Sequence, residues 1–543
     1  MYKDGKVWLA LNDEGEEICL LPGKANRHGL VAGATGTGKT VTLKVMAEAF
    51  SDMGVPVFLA DVKGDIAGLM AAGTDSEDMR ARIERFGLAK HGFSYQGYPV
   101  TFWDIYGQKG IQLRTTVSEM GPLLLARILK LNELQSNILS IVFKIADDNG
   151  LLLIDLKDLK SMLNHVSTNR SEYEAMYGKM SPASIAAILR AVVALEIDGG
   201  EVFFGEPGLN IRDWIATENG RGMINILDSE SLINNGRLYS TFLLWLLSEL
   251  FEMLPEVGDP SKPKMVFFFD EAHLLFNDAP KALLEKIEQV VKLIRSKGVG
   301  VYFCTQNPRD IPDGVLAQLS NRVQHGLRAY TPADQKAVKA AADSFRVNPA
   351  FNTFNTIMEL GTGEAVISFL QEDGTPSMAQ KAAVLPPQSR MGAVSDYERE
   401  QSVRESLLYA KYAEAVDPES AYEILLRLGI EKEEALARAK AEAEAAKQRA
   451  KEEAEAAKQK AREDAEAAKQ KAREAAAAAK EAEKEALAKK RAAKSIGGTV
   501  AGTVGREVGK TVGGTIGGKF GKTLGGNLGS SLGRGILNTL FGN

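Results

Sequence analysis

Two cysteines in 543 residues, Cys19 and Cys304, are too few and too far apart for a disulfide framework, and no CxxC or Cys/His spacing offers a zinc site. A reduced, cytoplasmic setting is the expectation. Long apolar runs are missing too: no uninterrupted stretch of 18 apolar residues occurs, which argues against a conventional membrane span. The opening, Met1 to Leu21, has neither the basic leader nor the apolar run of a signal peptide. Excess charge of one sign is also lacking. A net charge of -5 gives no global pull towards nucleic acid, so any such binding depends on a local basic patch or a pore lining. What remains, 45% apolar and 25% charged, is ordinary globular material long enough for more than one core, and it excludes wholesale disorder.

The first hundred residues read β-loop-α-β. KVWLALNDEGEEICLLP alternates around an Asn-Asp-Glu-Gly turn, as a hairpin does; His28 to Ala32 is a strand, Val41 to Phe50 has helical spacing, and Val55 to Ala60 is a short buried strand. Another strand covers Val100 to Trp103. From about 110 to 255 the period is mostly helical, which suggests an insertion. Strand patterns return at 264-270, 299-306, 322-329 and 364-370, separated by helix-length segments, and the turn-rich LPPQSRMG at 385-392 closes the domain. Strands alternating with helices imply a three-layer α/β domain with a mainly parallel sheet. The expected division is therefore a first core part at 1-109, a helical insertion at 110-255 and a second core part at 256-392. A helical region at 393-494 and a glycine-repeat tail at 495-543 follow.

The last two segments are different material. Between about 418 and 494 the chain is rich in Ala, Glu, Lys and Arg, with an 11-residue repeat in AEAAKQ, and it predicts one long helix. Alanines from Ala443 to Ala472 recur at steps of three, four and four, a period of 3.67 that keeps a narrow stripe on one face. This fits either a self-associating coil or a solvated helix with i,i+4 charge pairs. In the tail, Gly505 to Gly533 recur every fourth residue, each preceded by an apolar residue. Overlapping GxxxG units favour close helix packing, including at a membrane surface, or a segment that orders on a protein partner.

Gly33-Ala34-Thr35-Gly36-Thr37-Gly38-Lys39-Thr40 fits GxxxxGK[ST] after a predicted strand and at the start of a predicted helix. The glycines let consecutive N-H groups curl around a β-phosphate at the positive helix end. Lys39 is placed to bridge β- and γ-phosphates and Thr40 to ligate magnesium. Downstream, the apolar strand Met265 to Phe269 delivers Asp270 and Glu271 to the same carboxyl edge, the first for the metal and the second to polarise water. Such a pair points to hydrolysis of ATP. The next strand ends in Thr305 and Gln306, to read the γ-phosphate or to cap the following loop. Asp61-Val62-Lys63-Gly64-Asp65 ends another strand at that edge, with Lys63 and Asp65 as candidate site-lining groups. His273 lies near the acids and is read first as a packing or capping residue. Positive charge on the leaving phosphate falls to Arg295 or Arg322; in ring ATPases such an arginine comes from the neighbouring subunit and supplies roughly 10³ to 10⁵ in rate.

With GATGTGKT, DVKGD, VFFFDEAHLLF, KLIRSKGVGVYFCTQNPRDIP and QLSNRVQHGLRA in hand, residues 1-392 resemble the HerA/FtsK-type P-loop ATPases, specifically their bacterial HerA-like branch. The resemblance implies a RecA-like P-loop NTPase core, a hexameric ring, Mg2+-dependent ATP hydrolysis and translocation on double-stranded DNA. It assigns P-loop, Walker B and sensor roles to Lys39, Thr40, Asp270, Glu271 and Gln306. The alanine helix and glycine tail have no counterpart in those motors, and the P-loop at residue 33 leaves no room before it for the β-barrel of archaeal HerA proteins.

Overall fold

The computed structural model describes residues 1–276 and 281–492. The chain divides into two units, Met1–Glu434 and Ala435–Asn543. The first is built on a 13-stranded sheet. Its parallel part runs in the spatial order Asn321–His325, Gly29–Ala32, Val299–Thr305, Met265–Phe269, Val57–Asp61, Ile224–Asp228, Val100–Asp104 and Ile111–Gln112. Glu364–Ser368, Gln380–Val384 and Lys6–Asn12 extend it antiparallel beyond Asn321–His325, and Glu17–Leu20 forms the expected hairpin with Lys6–Asn12.

Alternation along the strands builds three layers. Phe58, Phe267, Phe269 and Phe303 join one buried cluster with the helical segments between residues 117 and 254, while Val57, Val266, Phe268 and Tyr302 join another with the helix Lys39–Asp52. Burying each phenylalanine of the run 267–269 contributes roughly 1.5–3 kcal/mol. A strand buried on both faces must be apolar throughout, and Met265–Phe269 is.

Parallel register brings the strand ends into line. Ala32 pairs with Thr305, Phe269 with Phe303 and with Ala60, and Asp228 with Asp61. The residues that follow these strands therefore share one edge of the sheet.

Besides four two-residue strands, two longer strands were not anticipated. Ile224–Asp228 lies inside the stretch read as mostly helical, yet it pairs on both sides within the sheet. Five apolar-rich residues between Met223 and Ser229 carry no period that separates a buried strand from a helix segment. Gln380–Val384 joins the last predicted strand to the N-terminal hairpin, so residues far apart in sequence complete the sheet. The predicted long helix spans Ala421–Ala492, 72 residues. The glycine-repeat tail lies outside the described residues. Among those described, no single helix is long and apolar enough to cross a membrane.

Candidate functional site

The P-loop turns from the strand Gly29–Ala32 into the helix Lys39–Asp52, and its three glycines all hold positive φ: Gly33 at 156°, Gly36 at 76° and Gly38 at 116°. Two are also crowded by their neighbours, Gly33 prohibitively and Gly38 tightly. A Cβ on Gly33 would lie 2.5 Å from the Cβ of His325, and one on Gly38 would lie 3.2 Å from the Cα of Gly363, whereas Gly36 faces open space. Lys39 is buried and donates to the carbonyls of Gly33 at 2.7 Å and Ala34 at 3.1 Å, which folds its ammonium over the loop. Thr37 Oγ1 closes the turn on Ala34 O at 2.7 Å. Ala34, Thr35 and Thr40 complete the loop, with Thr35 exposed.

His325 braces this turn from behind. Its Nδ1 meets the carbonyl of Glu364 at 2.9 Å and its Nε2 meets Thr42 Oγ1 at 2.8 Å. A carbonyl only accepts, so Nδ1 donates and Nε2 accepts from the hydroxyl. Burial pushes its pKa down to about 4, which keeps the ring neutral in that arrangement.

On the other side of the P-loop strand, Asp270 and Glu271 follow Met265–Phe269 as expected. Both are buried, and Glu271 holds a left-handed backbone at φ 47°, a conformation that costs a non-glycine residue energy and that aims its carboxylate. Three groups converge on it. Lys63 Nζ is 2.7 Å away, Gln306 Nε2 lies 3.3 Å from both oxygens, and His273 Nδ1 is at 3.3 Å. Burial alone would raise the Glu271 pKa, but Lys63, Gln306 and His273 together hold it below its ordinary value. Asp270 is raised, first by burial and then by the adjacent Glu271. The two acids are thus driven apart, one kept ionised and the other kept reluctant.

Of the DVKGD turn, Asp61 is the architect. Its carboxylate accepts from the backbone N-H of Lys63 (3.2 Å), Gly64 (2.8 Å) and Ile66 (3.1 Å), which curls the loop and sends Lys63 to Glu271. Burial, with Asp65, Asp270 and Asp228 nearby, raises Asp61 to about 7. Asp65 is partly exposed, and one of its carboxylate oxygens is buried without a partner in the structure. Thr305 takes the capping role: its hydroxyl donates to Asp310 at 2.8 Å, and of the two residues Gln306 is the one that reaches Glu271.

Arg295 and Arg322 are not brought to this site. Arg295 precedes the strand Val299–Thr305 and Arg322 is the second residue of Asn321–His325, so both lie towards the amino edge of the parallel sheet, opposite the P-loop. The backbone carbonyl of Arg295 accepts from Asn26 at 3.4 Å, and the guanidinium of Arg322 is spent on the carbonyls of Leu319 and Leu316 at 3.1 and 3.3 Å. Neither reaches the P-loop of its own chain.

Sequence reasoning missed His325, which sits within a quoted motif but shows its purpose only through Gly33 and Thr42. It also missed a strap, 388–399, laid along the P-loop helix. Glu48 accepts from Gln388 N, Ser389 N and Ser389 Oγ, Lys44 donates to Arg390 O, and Arg399 pairs with Asp228 at 2.5 Å. Charged residues at 44 and 48 inside a buried helix face were the available signal.

Residues 7–521 match the helicase HerA-like C-terminal family. A probable helicase of Methanocaldococcus jannaschii is 27% identical over 146 residues, 26% of either chain. The DNA double-strand break repair helicase HerA of Sulfolobus acidocaldarius is 25% identical over 149 residues, 27% of this chain and 29% of that one. The match thus spans little more than a quarter of these relatives. Among solved structures, the bacterial conjugative coupling protein TrwBdeltaN70 superposes with a TM-score of 0.47 at 17% identity, covering 71% of this chain and 90% of that one. VirB4 of Thermoanaerobacter pseudethanolicus gives 0.44 at 14% identity, covering 73% and 99%.

Proposed function

Because the chain belongs to the helicase HerA-like C-terminal family of P-loop ATPases, we propose that it is a magnesium-dependent ATP hydrolase that works as a hexameric ring and couples loss of the γ-phosphate to movement along double-stranded DNA. The observation that carries the enzymatic part is the meeting at one sheet edge of the lysine-bearing glycine turn and the Glu271 cluster. The open face at Gly36 and the left-handed turns fit a phosphate held by backbone N-H groups. Lys39 leaves the Gly33 and Ala34 carbonyls for the β- and γ-phosphates. Thr40 and Asp270 would hold magnesium, whose charge, when the ion is bound, offsets that of the phosphates.

Glu271 acts as general base. Its lowered pKa keeps it ionised, and removal from water leaves it able to draw a proton from an attacking water oriented with Gln306. Lys63 is the counter-charge that the carboxylate must partly release, so the ion pair is a latch on turnover. Arg295 and Arg322 serve in this reading only across a subunit boundary. Arg295 is the better of the two, because it is partly exposed and Arg322 is committed to two carbonyls.

The test is ATP turnover measured with and without duplex DNA. Stimulation by DNA supports the translocase; turnover that neither changes with DNA nor accompanies DNA binding removes the polymer and leaves the ATPase. A second reading, an ATP-driven switch acting on proteins or membrane surfaces, draws on the helix Ala421–Ala492 as a spacer. It expects deletion of 496–543 to release the protein from anionic liposomes or from its assemblies.

A further inference from the structure

One cation near the P-loop has no work assigned to it. Arg82 lies on the helix Glu77–Arg85, whose first turn is capped by Ser76 Oγ accepting from Met79 N at 3.2 Å. Met79 is the buried anchor of that helix, and Arg82, three residues on, shares its inward face. Its neighbours turn elsewhere: Arg80 pairs with Asp75 at 3.1 Å, and Arg85 lies over the ring of Phe86.

The guanidinium of Arg82 rests against Gly363. A Cβ built on that glycine would lie 3.0 Å from Nη1 and 3.2 Å from Nη2, a tight contact, and its φ of 80° itself favours glycine. Gly363 in turn belongs to the wall of the P-loop. Its N-H donates to Thr37 O at 2.9 Å, and its Cα stands 3.2 Å from where a Gly38 side chain would begin. Arg82 is thus a single glycine away from the phosphate-binding turn.

The other cations around the loop are engaged. Lys39 holds two loop carbonyls, Lys63 holds Glu271, and Arg328 holds the carbonyls of Met358 and Leu360. Among the described residues no hydrogen bond or ion pair engages the Arg82 guanidinium, which is only half-buried. Strand order says which end of a nucleotide it would meet. Glu271 and Gln306 follow strands on one side of the P-loop strand and mark the γ-phosphate side; Gly363 opens Glu364–Ser368, on the opposite side of the P-loop strand. A triphosphate laid along the turn with its γ end at Glu271 has its α-phosphate towards Gly363.

We propose that Arg82 is a nucleotide-binding residue that pairs with the α-phosphate, holding ATP and ADP alike by the end that hydrolysis does not change. The proposal rests on the nucleotide-site reading above. A guanidinium suits the task because its planar fork pairs with two phosphate oxygens at once.

The experiment is equilibrium binding of ATP and of ADP, with steady-state turnover, for the full chain and for Arg82→Ala and Arg82→Lys. Expected for Arg82→Ala is a loss of affinity of roughly 10- to 100-fold, equal for both nucleotides, with KM raised and kcat at saturating ATP within about twofold. Arg82→Lys, which keeps the charge but not the fork, should recover part of that loss, and all three proteins should melt alike. Unchanged binding, a loss confined to ATP, or a fall in kcat at constant KM would each overturn the α-phosphate assignment. A parent protein that binds neither nucleotide would overturn the nucleotide site itself, and the role of Arg82 with it. The parent arm therefore separates the two failures.

Discussion

The two edges of the parallel sheet each bury a histidine, and the pair shows what an edge decides. At the amino edge, His28 accepts from Val301 N at 3.0 Å; at the carboxyl edge, His325 links Thr42 to the Glu364 carbonyl beside the P-loop. Burial lowers both to about 4. With the same residue type and the same electrostatic consequence, the tasks differ: one ties strand to strand, the other props the turn that would hold phosphate. The arginines divide in the same way, since Arg295 and Arg322 sit with His28 at the amino edge. Strand ends at the carboxyl edge gather Asp61, Asp228, Asp270 and Glu271 instead.

That contrast breaks most visibly at Lys39. Lys39→Ala should abolish ATP binding, a loss of at least about 1000-fold by equilibrium titration, while the melting temperature stays within a few degrees; retained binding would mean the turn is not the phosphate site. Next, His325→Gln should weaken nucleotide affinity and destabilise the fold by roughly 1–3 kcal/mol, because Thr42 and the Glu364 carbonyl lose a buried partner. His28→Gln should cost stability alone. Equal effects of the two on binding would erase the distinction between the edges.

The pH dependence sharpens it further. A histidine whose folded pKa lies below its ordinary value of 6.5 resists a proton that the unfolded chain accepts. Its penalty is absent above pH 6.5 and grows as pH falls towards 4. The double variant His28→Gln/His325→Gln should therefore lose less melting temperature between pH 7 and pH 4.5 than the parent, as thermal melts will show.

A smaller effect belongs to Lys63. Lys63→Ala removes the charge that helps to hold Glu271 ionised, so the acid limb of the kcat/KM profile should move to higher pH. A shift to lower pH would contradict the pairing. Least of all, truncation after Glu434 should leave ATP affinity within about twofold, since the nucleotide site is assembled wholly from residues of the first unit.

How much of this was legible in the sequence follows from how local each feature is. The glycine turn and the Asp270-Glu271 pair announce themselves because the chemistry needs contiguous residues, and an all-apolar strand fixes which edge they leave by. Lys63 could be placed at the same edge, but its partner 208 positions later could not. Ile224–Asp228 was hidden by brevity among helical periods, and Gln380–Val384 by a pairing with the far N-terminus. His325 and Gly363 matter through the space they fill against Gly33, Gly38 and Arg82, which no spacing records. The placing of Arg295 and Arg322 was readable: residues that open parallel strands lie away from the edge where a P-loop binds.

The most direct test of the central claim is phosphate release measured beside ATP binding for Glu271→Gln. The account expects ATP held with the affinity of the parent and turnover reduced by about 10² to 10⁴. Phosphate release at the parental rate, or loss of ATP binding together with turnover, would contradict it.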